Sequence, residues 1–302
     1  MQLTILLATY NGQKYLREQL DSIVSQSYKD WRLLVHDDGS TDNTIAILKD
    51  YAILDGRIQI LEDGISGLGA AHNFLHLLKH AHSDFIMFAD QDDVWLPDKV
   101  KVMMENIDSD TPAMAYCNAN SFKADRILPD RVIMFHPTSL NDTLFLNGGV
   151  HGCLQIINKP LRDLIINYNG YVCMHDHLIT LAAVCLGRIK YIDKDLMYYR
   201  QHLANVTVGY ETRFTRKLLN FFASRSGVID SKHQLGTIEF FKHFKNHLSK
   251  KQRETFSAYF RFASVPVLQR IGILLKHRFR IGKMIYILLF KTLLRKPVGS
   301  KS

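Results

Sequence analysis

The sequence has little of several features that mark whole classes of protein. Among its 302 residues there are only 4 cysteines, and none of them forms a Cys-x-x-Cys pair or has the spacing of a zinc finger. A disulfide-stabilised domain or a zinc finger is therefore excluded, and we expect buried, reduced thiols, as in a cytoplasmic protein. The N-terminal residues have neither a basic segment nor a long apolar segment, so we expect no secretion signal.

Long apolar runs are also lacking. A membrane-spanning helix needs about 18 or more consecutive apolar residues. The longest candidates, 265–275 and 284–290, are shorter and carry or adjoin basic residues. We therefore expect no spanning helix.

Acidic residues are scarce in the last third of the chain. From Arg200 onward there are 21 Lys and Arg but only 4 Asp and Glu, which leaves 17 basic and 25 acidic residues in the first 199. An acidic body of this size repels a polyanion, so we expect no nucleic acid as a partner. The basic C-terminal part requires another explanation.

Short apolar runs alternate with segments of helical periodicity in the first part of the chain. Runs at 3–8, 31–35, 58–61, 85–89 and 113–117 have the length of strands, and helical spacing follows most of them. This alternation predicts crossover units, and hence an α/β fold with a mostly parallel central sheet. Beyond residue 210 the sequence is basic and helical in pattern. We therefore expect two parts, an α/β domain over residues 1–210 and a basic helical region over residues 211–302.

Three polar clusters directly follow predicted strands, at 9–12, 37–42 and 90–93. Because ligands bind at the carboxyl ends of parallel strands, we expect these clusters to meet at one edge of the sheet. Asp37 and Asp38 offer adjacent carboxylates to a base or to sugar hydroxyls, although a capping turn explains the same residues. Asp90 and Asp92 point the same way on an extended segment and can chelate one Mg²⁺ or Mn²⁺. The alternative for this cluster is a solvated acidic turn.

Two further candidates say little by themselves. Asp176 stands at the start of a predicted helix, where an acidic residue is favourable in any case. His202 follows a short apolar strand, and with 14 histidines in the chain such a position needs no function.

Taken together, the order of these motifs resembles that of glycosyltransferase family 2, and most of all its bacterial rhamnosyltransferase-type branch. The motifs that carry the resemblance are residues 8–12, 37–42, 89–97, 175–176 and 199–202, with Asn205. The resemblance implies the Rossmann-like GT-A fold of nucleotide-diphospho-sugar transferases, as a catalytic domain over residues 1–210.

The resemblance also implies roles for individual residues. The nucleotide-sugar site that it implies consists of Thr9, Tyr10, Asn11, Asp37, Asp38, Asn73, Asp90, Gln91, Trp95 and Arg200. Asp90 and Asp92 match the metal motif for Mn²⁺ or Mg²⁺, and His202 matches a position near the metal. Asp176 matches the general base, and Gly148 and Gly149 would allow the backbone to approach closely in the loop that precedes this base.

The function implied is inverting, metal-dependent transfer of a sugar from a nucleotide-diphospho-sugar of the dTDP-rhamnose or UDP-hexose type. The acceptor would be a hydroxyl of a lipid-linked or growing bacterial surface polysaccharide, such as a capsule or an O-antigen. One alternative is a nucleotidyltransferase, for which we expect a basic, glycine-rich phosphate loop where residues 9–13 stand. Another is an inactive, membrane-bound scaffold of the same fold.

Basic residues flank an apolar stretch at 281–292 in the C-terminal region. A basic amphipathic helix can lie in the interface of an anionic membrane. This pattern predicts a peripheral protein on the cytoplasmic face of the plasma membrane, close to a lipid-linked acceptor. The alternative is that the apolar face packs on the catalytic body or on a second copy of the chain, which would form a homodimer.

Overall fold

The computed structural model of the protein describes residues 2–123, 126–201, 227–281 and 284–299. His202 lies outside the described residues. Nine strands form the main sheet of the described part.

The N-terminal half of the sheet is parallel and is built from strand–helix units. Its elements are β1 (Leu3–Thr9), α1 (Leu16–Val24), β2 (Trp31–Asp37), α2 (Thr44–Leu54), β3 (Ile58–Ile60), α3 (Gly69–His80) and β4 (Phe85–Ala89). All five residues of β4 are buried, as expected for a central strand covered on both faces. This half confirms the strands and crossovers that the alternating pattern predicted.

The other half of the sheet is mixed. It contains β5 (Val94–Trp95), β6 (Ala113–Lys123), β7 (Arg126–Arg131), β8 (Gln155–Asn158) and β9 (Arg188–Arg200), with helices α4 (Lys99–Met104), α5 (Leu140–Thr143), α6 (Lys159–Ile165) and α7 (His175–Leu186). The order of the whole sheet is β3-β2-β1-β4-β8-β6-β9-β5, with β7 paired to β6. Strand β8 lies antiparallel between β4 and β6, whereas β6 and β9 are parallel. The short 3₁₀ turn Gly152–Leu154 leads directly into β8. This turn therefore lies beside the end of β4, at the edge where the polar clusters meet.

The described part of the C-terminal region is mainly helical, as the sequence predicts. It consists of β10 (Ile229–Asp230), α8 (Ser231–Phe244), α9 (Lys250–Phe262), α10 (Val267–Lys276), α11 (Ile285–Leu294) and β11 (Val298–Gly299), which pairs with β10. A capping box between Ser249 and Gln252 begins α9. No helix within the described ranges is long and apolar enough to cross a membrane.

Part of the apolar surface of these helices packs on the α/β body. The ring of Phe145 makes edge contacts with Tyr259, Phe262 and Phe279, with ring centroids 5.0 to 5.1 Å apart. Close by, Arg280 forms an ion pair with the buried carboxylate of Asp142. The alternative of packing on the body therefore holds for this part of the region. A second group of apolar side chains stays exposed: Leu268, Leu275, Tyr286, Phe290, Leu293 and Leu294.

Candidate active site

The three polar clusters meet at the carboxyl end of three adjacent parallel strands. Thr9 at the end of β1 is the direct neighbour of Asp37 at the end of β2, and Leu7 pairs with Ala89 of β4 on the other side. The segments that leave these strands therefore start side by side.

Hydrogen bonds join the loops after β1 and β2. The Thr9 hydroxyl donates to Asp37 Oδ2 at 2.7 Å, and the Ser40 hydroxyl donates to the same oxygen at 2.6 Å. Asn11 has a φ of 48°, and its side-chain oxygen accepts from the Thr41 N–H at 2.8 Å. The carboxylate of Asp37 thus holds the loop after β2 against the end of β1.

Asp90, Asp92 and Asp93 follow β4 and are called the acidic cluster. Gln91, which stands among them, joins this cluster to the loop after β1. The Tyr10 N–H donates to Gln91 Oε1 at 2.9 Å, and Gln91 Nε2 donates to the Tyr10 carbonyl at 3.0 Å. Gly12 permits this contact, since a Cβ there would lie only 2.3 Å from Gln91 Oε1. The Tyr10 ring itself is 57% exposed, so one of its faces is available for stacking.

Asp38 holds the loop that leads into α3. Its two carboxylate oxygens accept from the Leu68 and Gly69 N–H groups, each at 2.7 Å, and the side chain is largely buried. A supporting role next to Asp37 agrees with this geometry.

Three residues expected to contact the nucleotide sugar are buried behind the site instead. Asn73 is 2% exposed, and its side-chain amide is hydrogen-bonded to His36. Trp95 is also 2% exposed. The Arg200 guanidinium lies over the rings of Tyr15 and Phe122, with its carbon 4.4 and 4.2 Å from the ring centroids. These positions favour supporting roles over direct contact with a donor.

The acidic cluster brings together a different set of ligand atoms from the one expected. Oxygens of Asp90 and Asp93 and the sulfur of Cys153 lie within 4.8 Å of one another, and Asp92 is not part of this group. Sequence reasoning passed over Asp93 although it stands in the same motif. Cys153 comes from the turn before β8, and only the fold brings it here.

Burial and mutual repulsion raise the pKa of these carboxyl groups. Burial and then the charge of Asp92 raise the pKa of Asp90 to about 6, and burial followed by Asp92 and Asp90 raises the pKa of Asp93 well above its usual range. Asp93 Oδ1 accepts from the Arg200 N–H at 3.0 Å, whereas no described residue bonds its buried Oδ2. A divalent cation would satisfy this oxygen and offset the repulsion, and carboxylates suit Mg²⁺ or Mn²⁺. Burial raises the pKa of the Cys153 thiol well above its usual range, which makes it a poor ligand for these ions.

Two cations stand directly behind the acidic cluster, and neither was predicted in this role. Lys99 is fully buried, and its ammonium donates to the Cys153 carbonyl at 2.6 Å and lies 3.8 Å from the Trp95 ring centroid. Arg200 Nε donates to the Asp92 carbonyl at 2.7 Å. Their charges partly compensate those of the carboxylates and hold the turn in place.

Asp176 lies in the first turn of α7, close enough to Asp90 for their charges to interact. Its pKa is raised to about 7 by burial and by Asp90, although the His177 and Gly152 N–H groups lower it. A carboxyl group that titrates near neutral pH is suited to general base catalysis. Gly149 confirms the expected close approach, because a Cβ there would lie 2.5 Å from the Asp176 carbonyl oxygen.

His175 anchors the start of α7 in the core. Its ring packs at a tilt against those of Phe74 and Phe88, with centroids 4.2 and 5.5 Å away, and burial lowers its pKa to about 3. The neutral imidazole thus serves packing, while the next residue faces the site.

Comparison with known proteins agrees with this arrangement. The model of glycosyl transferase family 2 matches residues 4–177, more than half of the chain. The chain belongs to glycosyl transferase family 2. The family match runs from β1 to the first turn of α7, so it includes the ends of β1, β2 and β4, the acidic cluster and Asp176.

Several curated relatives are similar over much of their length. The dTDP-rhamnosyl transferase RfbG of Shigella flexneri is 31% identical over 70% of this chain and 76% of its own length. The Escherichia coli UDP-Glc:α-D-GlcNAc-diphosphoundecaprenol β-1,3-glucosyltransferase WfgD is 28% identical over 68% of this chain and 79% of its own length. The putative teichuronic acid biosynthesis glycosyltransferase TuaG of Bacillus subtilis is 30% identical, and the chain spans 60% of its length.

Solved structures show the same GT-A fold. Residues 1–349 of TarS from S. aureus in complex with UDP align with a TM-score of 0.53 and 22% identity, over 66% of this chain and 60% of that one. The mannosyltransferase PcManGT from Pyrobaculum calidifontis, in complex with GDP-Man and Mn²⁺, aligns with a TM-score of 0.55 and 17% identity, over 96% and 85%. At these identities the likeness is one of fold.

Proposed function

We propose that this family 2 enzyme transfers a sugar from a nucleotide-diphospho-sugar to a hydroxyl of a bacterial surface polysaccharide, with inversion at the anomeric carbon. The observation that carries the proposal is the pair of Asp176, with a pKa of about 7, and the acidic cluster beside it at the strand ends. A base and a cation site next to each other are what this reaction requires.

The nucleotide would bind over the loops after β1 and β2. Thr9, Tyr10 and Asn11 form one side, with the exposed Tyr10 ring placed to stack on a base, and Asp37 forms the other. Gln91 shapes the floor between them. The names of RfbG and WfgD support donors of the dTDP-rhamnose or UDP-hexose type.

The acidic cluster would hold Mn²⁺ or Mg²⁺. Asp90 and Asp92 are the ligands we infer, with Asp93 as an additional candidate because its buried Oδ2 has no partner among the described residues. When bound, the ion neutralises charge on the departing diphosphate. Lys99 and Arg200 hold the turn of this cluster from behind and need not touch the donor.

Asp176 would act as the general base. Its ionised carboxylate accepts the proton of the acceptor hydroxyl while that oxygen attacks the anomeric carbon from the side opposite the diphosphate. The bond to the diphosphate breaks as the new glycosidic bond forms, which inverts the configuration. The raised pKa of Asp176 brings its affinity for the proton closer to that needed near neutral pH.

We further propose that the C-terminal region brings the enzyme to the cytoplasmic face of the membrane. The exposed side chains Tyr286, Phe290, Leu293 and Leu294 recur at the spacing of one face of α11, and Leu268 and Leu275 are exposed on α10. We name these six side chains the apolar patch. Exposed Lys276 and Lys296 lie near it in the sequence, and the WfgD name supports a lipid-linked acceptor. In this proposal residues 1–210 are the catalytic domain and residues 211–302 the membrane-associating one.

The test is a donor screen followed by a transfer assay. Thermal unfolding is measured with dTDP-rhamnose, UDP-glucose, UDP-galactose and their N-acetyl forms, with Mn²⁺ and with EDTA, since a bound donor stabilises the folded state. A donor that stabilises only with Mn²⁺, and is then consumed with an acceptor extract, supports the proposal. Release of pyrophosphate from a nucleoside triphosphate indicates a nucleotidyltransferase instead. An inactive scaffold would bind no donor productively and hydrolyse none.

A further inference from the structure

Two imidazoles converge on one carboxylate at a place outside the acidic cluster. His36 belongs to β2, Asp63 to the loop after β3, and His76 to α3. His36 Nε2 lies 3.4 Å from Asp63 Oδ1, and His76 Nε2 lies 2.5 Å from Asp63 Oδ2. The three ligand atoms lie within 4.8 Å of one another. We call these three residues the histidine cluster.

Asn73 determines which nitrogen of His36 carries the proton. The amide nitrogen of Asn73 donates to the His36 carbonyl at 3.3 Å, so the amide oxygen is the atom that faces His36 Nδ1 at 2.7 Å. That oxygen only accepts, and Nδ1 must therefore donate to it. In a neutral ring the lone pair then lies on Nε2 and points toward Asp63.

A lone pair that faces a carboxylate oxygen is repelled unless a positive charge lies between them. A metal ion satisfies the lone pair and the carboxylate together. An imidazole whose other nitrogen donates to a fixed oxygen is also the usual arrangement around a metal-binding histidine.

We propose that His36, Asp63 and His76 bind a divalent ion of the zinc class. Two imidazole nitrogens and one carboxylate suit Zn²⁺, whereas Mg²⁺ and Mn²⁺ prefer oxygen ligands. Bonds of about 2.0 to 2.1 Å in a tetrahedron place ligand atoms about 3.3 Å apart, and His36 Nε2 lies 3.4 Å from Asp63 Oδ1. With Oδ1 as the carboxylate ligand, the His76 ring has to turn away from Oδ2, against which it lies now, to join the same ion. The Asp63 side chain is 23% exposed, so water can reach a fourth position.

The ion would connect β2, the loop after β3 and α3, next to the loops that we propose bind the nucleotide. His36 directly precedes Asp37, and the loop that contains Asp63 ends where Asp38 accepts from Leu68 and Gly69. Binding would therefore hold this loop against β2 and α3 and stabilise the fold. The inference does not depend on the proposed sugar transfer.

The experiment is a calorimetric titration of the chelator-treated full chain with Zn²⁺, with excess Mg²⁺ present to compete at the acidic cluster. We expect a tight site in the wild type that His76→Ala and Asp63→Asn remove. Asn73→Ala should lower the affinity for Zn²⁺ by roughly 10- to 100-fold, which is the usual effect of removing the hydrogen-bond partner of a metal-binding histidine. His72→Ala is the matched control, since His72 is exposed one turn earlier on α3 and is not in the cluster.

Asp90→Asn and the cobalt spectrum separate this site from the acidic cluster. The tight site should survive Asp90→Asn, and Co²⁺ should give a tetrahedral absorption without a sulfur charge-transfer band. Folding of each variant is checked by circular dichroism. Absence of tight Zn²⁺ binding in the wild type, its persistence in folded His76→Ala, or its loss in folded Asp90→Asn would each overturn the proposal.

Discussion

Gln91 forms two hydrogen bonds with the main chain of Tyr10, one as acceptor at 2.9 Å and one as donor at 3.0 Å. This pair is the direct link between the acidic cluster after β4 and the loop after β1. A side-chain amide can accept and donate at the same time, whereas an ionised carboxylate can only accept. The position of the acidic cluster relative to the loop after β1 therefore depends on it.

Gln91→Leu should weaken donor binding without unfolding the protein. Two hydrogen bonds of about 0.5 to 1.5 kcal/mol each are lost, so we expect a rise of roughly tenfold or more in the donor Kd. Gln91→Glu keeps only the acceptor and should show much of the same effect. Titration calorimetry measures the Kd, and Gln59→Leu on the exposed face of β3 is the control. An unchanged Kd in Gln91→Leu would mean that the loop keeps its position without this link.

Asp176→Asn should abolish transfer and leave donor binding intact. A general base contributes about 10²- to 10⁴-fold to the rate, and an amide cannot take the proton. Single-turnover kinetics measure the rate and calorimetry measures donor affinity. Asp163→Asn, which removes a half-exposed acid on α6, is the matched control. Turnover in Asp176→Asn comparable with that of the control contradicts the assignment.

The rate should depend on pH through Asp176. Its pKa is raised to about 7, first by burial, and only the ionised form acts as a base. We therefore expect kcat/KM to rise about tenfold per pH unit below this value and to level off above it. The negative charge of Asp90 is one cause of the raised pKa of Asp176. Saturating Mn²⁺ should offset that charge and shift the rising part of the pH profile to lower pH. A profile that stays flat across about pH 5 to 9 rules out this titration.

The same pKa predicts a cost in stability. The carboxyl of Asp176 titrates at about 7 when folded but at about 3.9 when unfolded, so stability falls as pH rises between these values and the cost is complete above the folded pKa. Asp176→Asn removes this cost. Its Tm should exceed that of the wild type at about pH 8 and equal it near pH 3 in differential scanning calorimetry. A lower Tm at pH 8 would show that the ionised carboxylate stabilises the fold.

Sequence pattern was enough to predict the part of the fold that positions the site. Apolar runs of strand length, such as 85–89, show where the strands lie. The polar residues that follow them indicate which edge of the sheet carries the candidate site. The sequence pattern did not predict which segments that are far apart in the chain contact each other. Nothing around Cys153 or Lys99 indicates that the fold brings them behind Asp90, because β8 enters the sheet antiparallel from a loop of small residues.

Arg200 shows the same limit for a single side chain. A basic residue near a phosphate-binding motif suggests direct contact with the substrate. In the fold the guanidinium lies between Tyr15 and Phe122 and donates to the main chain of the acidic cluster. Position along the sequence predicted proximity to the site, whereas the burial of the side chain favours a supporting role over direct contact.

The apolar patch on α10 and α11 should mediate binding to anionic membranes. Tyr286 and Leu293 are 63% and 60% exposed, and placing such side chains in the membrane interface is worth on the order of 1 kcal/mol or more each. The double variant Tyr286→Ser with Leu293→Ser should therefore bind phosphatidylglycerol-containing vesicles at least tenfold more weakly in co-sedimentation. The matched control is Ile53→Ser with Leu54→Ser, two side chains on α2 that are each 83% exposed.

Salt separates the electrostatic part of this binding, since attraction to lipid headgroups is screened as ionic strength rises. We expect wild-type binding to weaken when salt is raised and to be absent on vesicles of phosphatidylcholine alone. If the patch instead joins two copies of the chain, the double variant will change the mass measured by sedimentation, and vesicle binding will be absent from the start. Equal losses in the double variant and in the α2 control would argue against any special role of the patch, because an exposed apolar surface anywhere on the chain would then have the same effect.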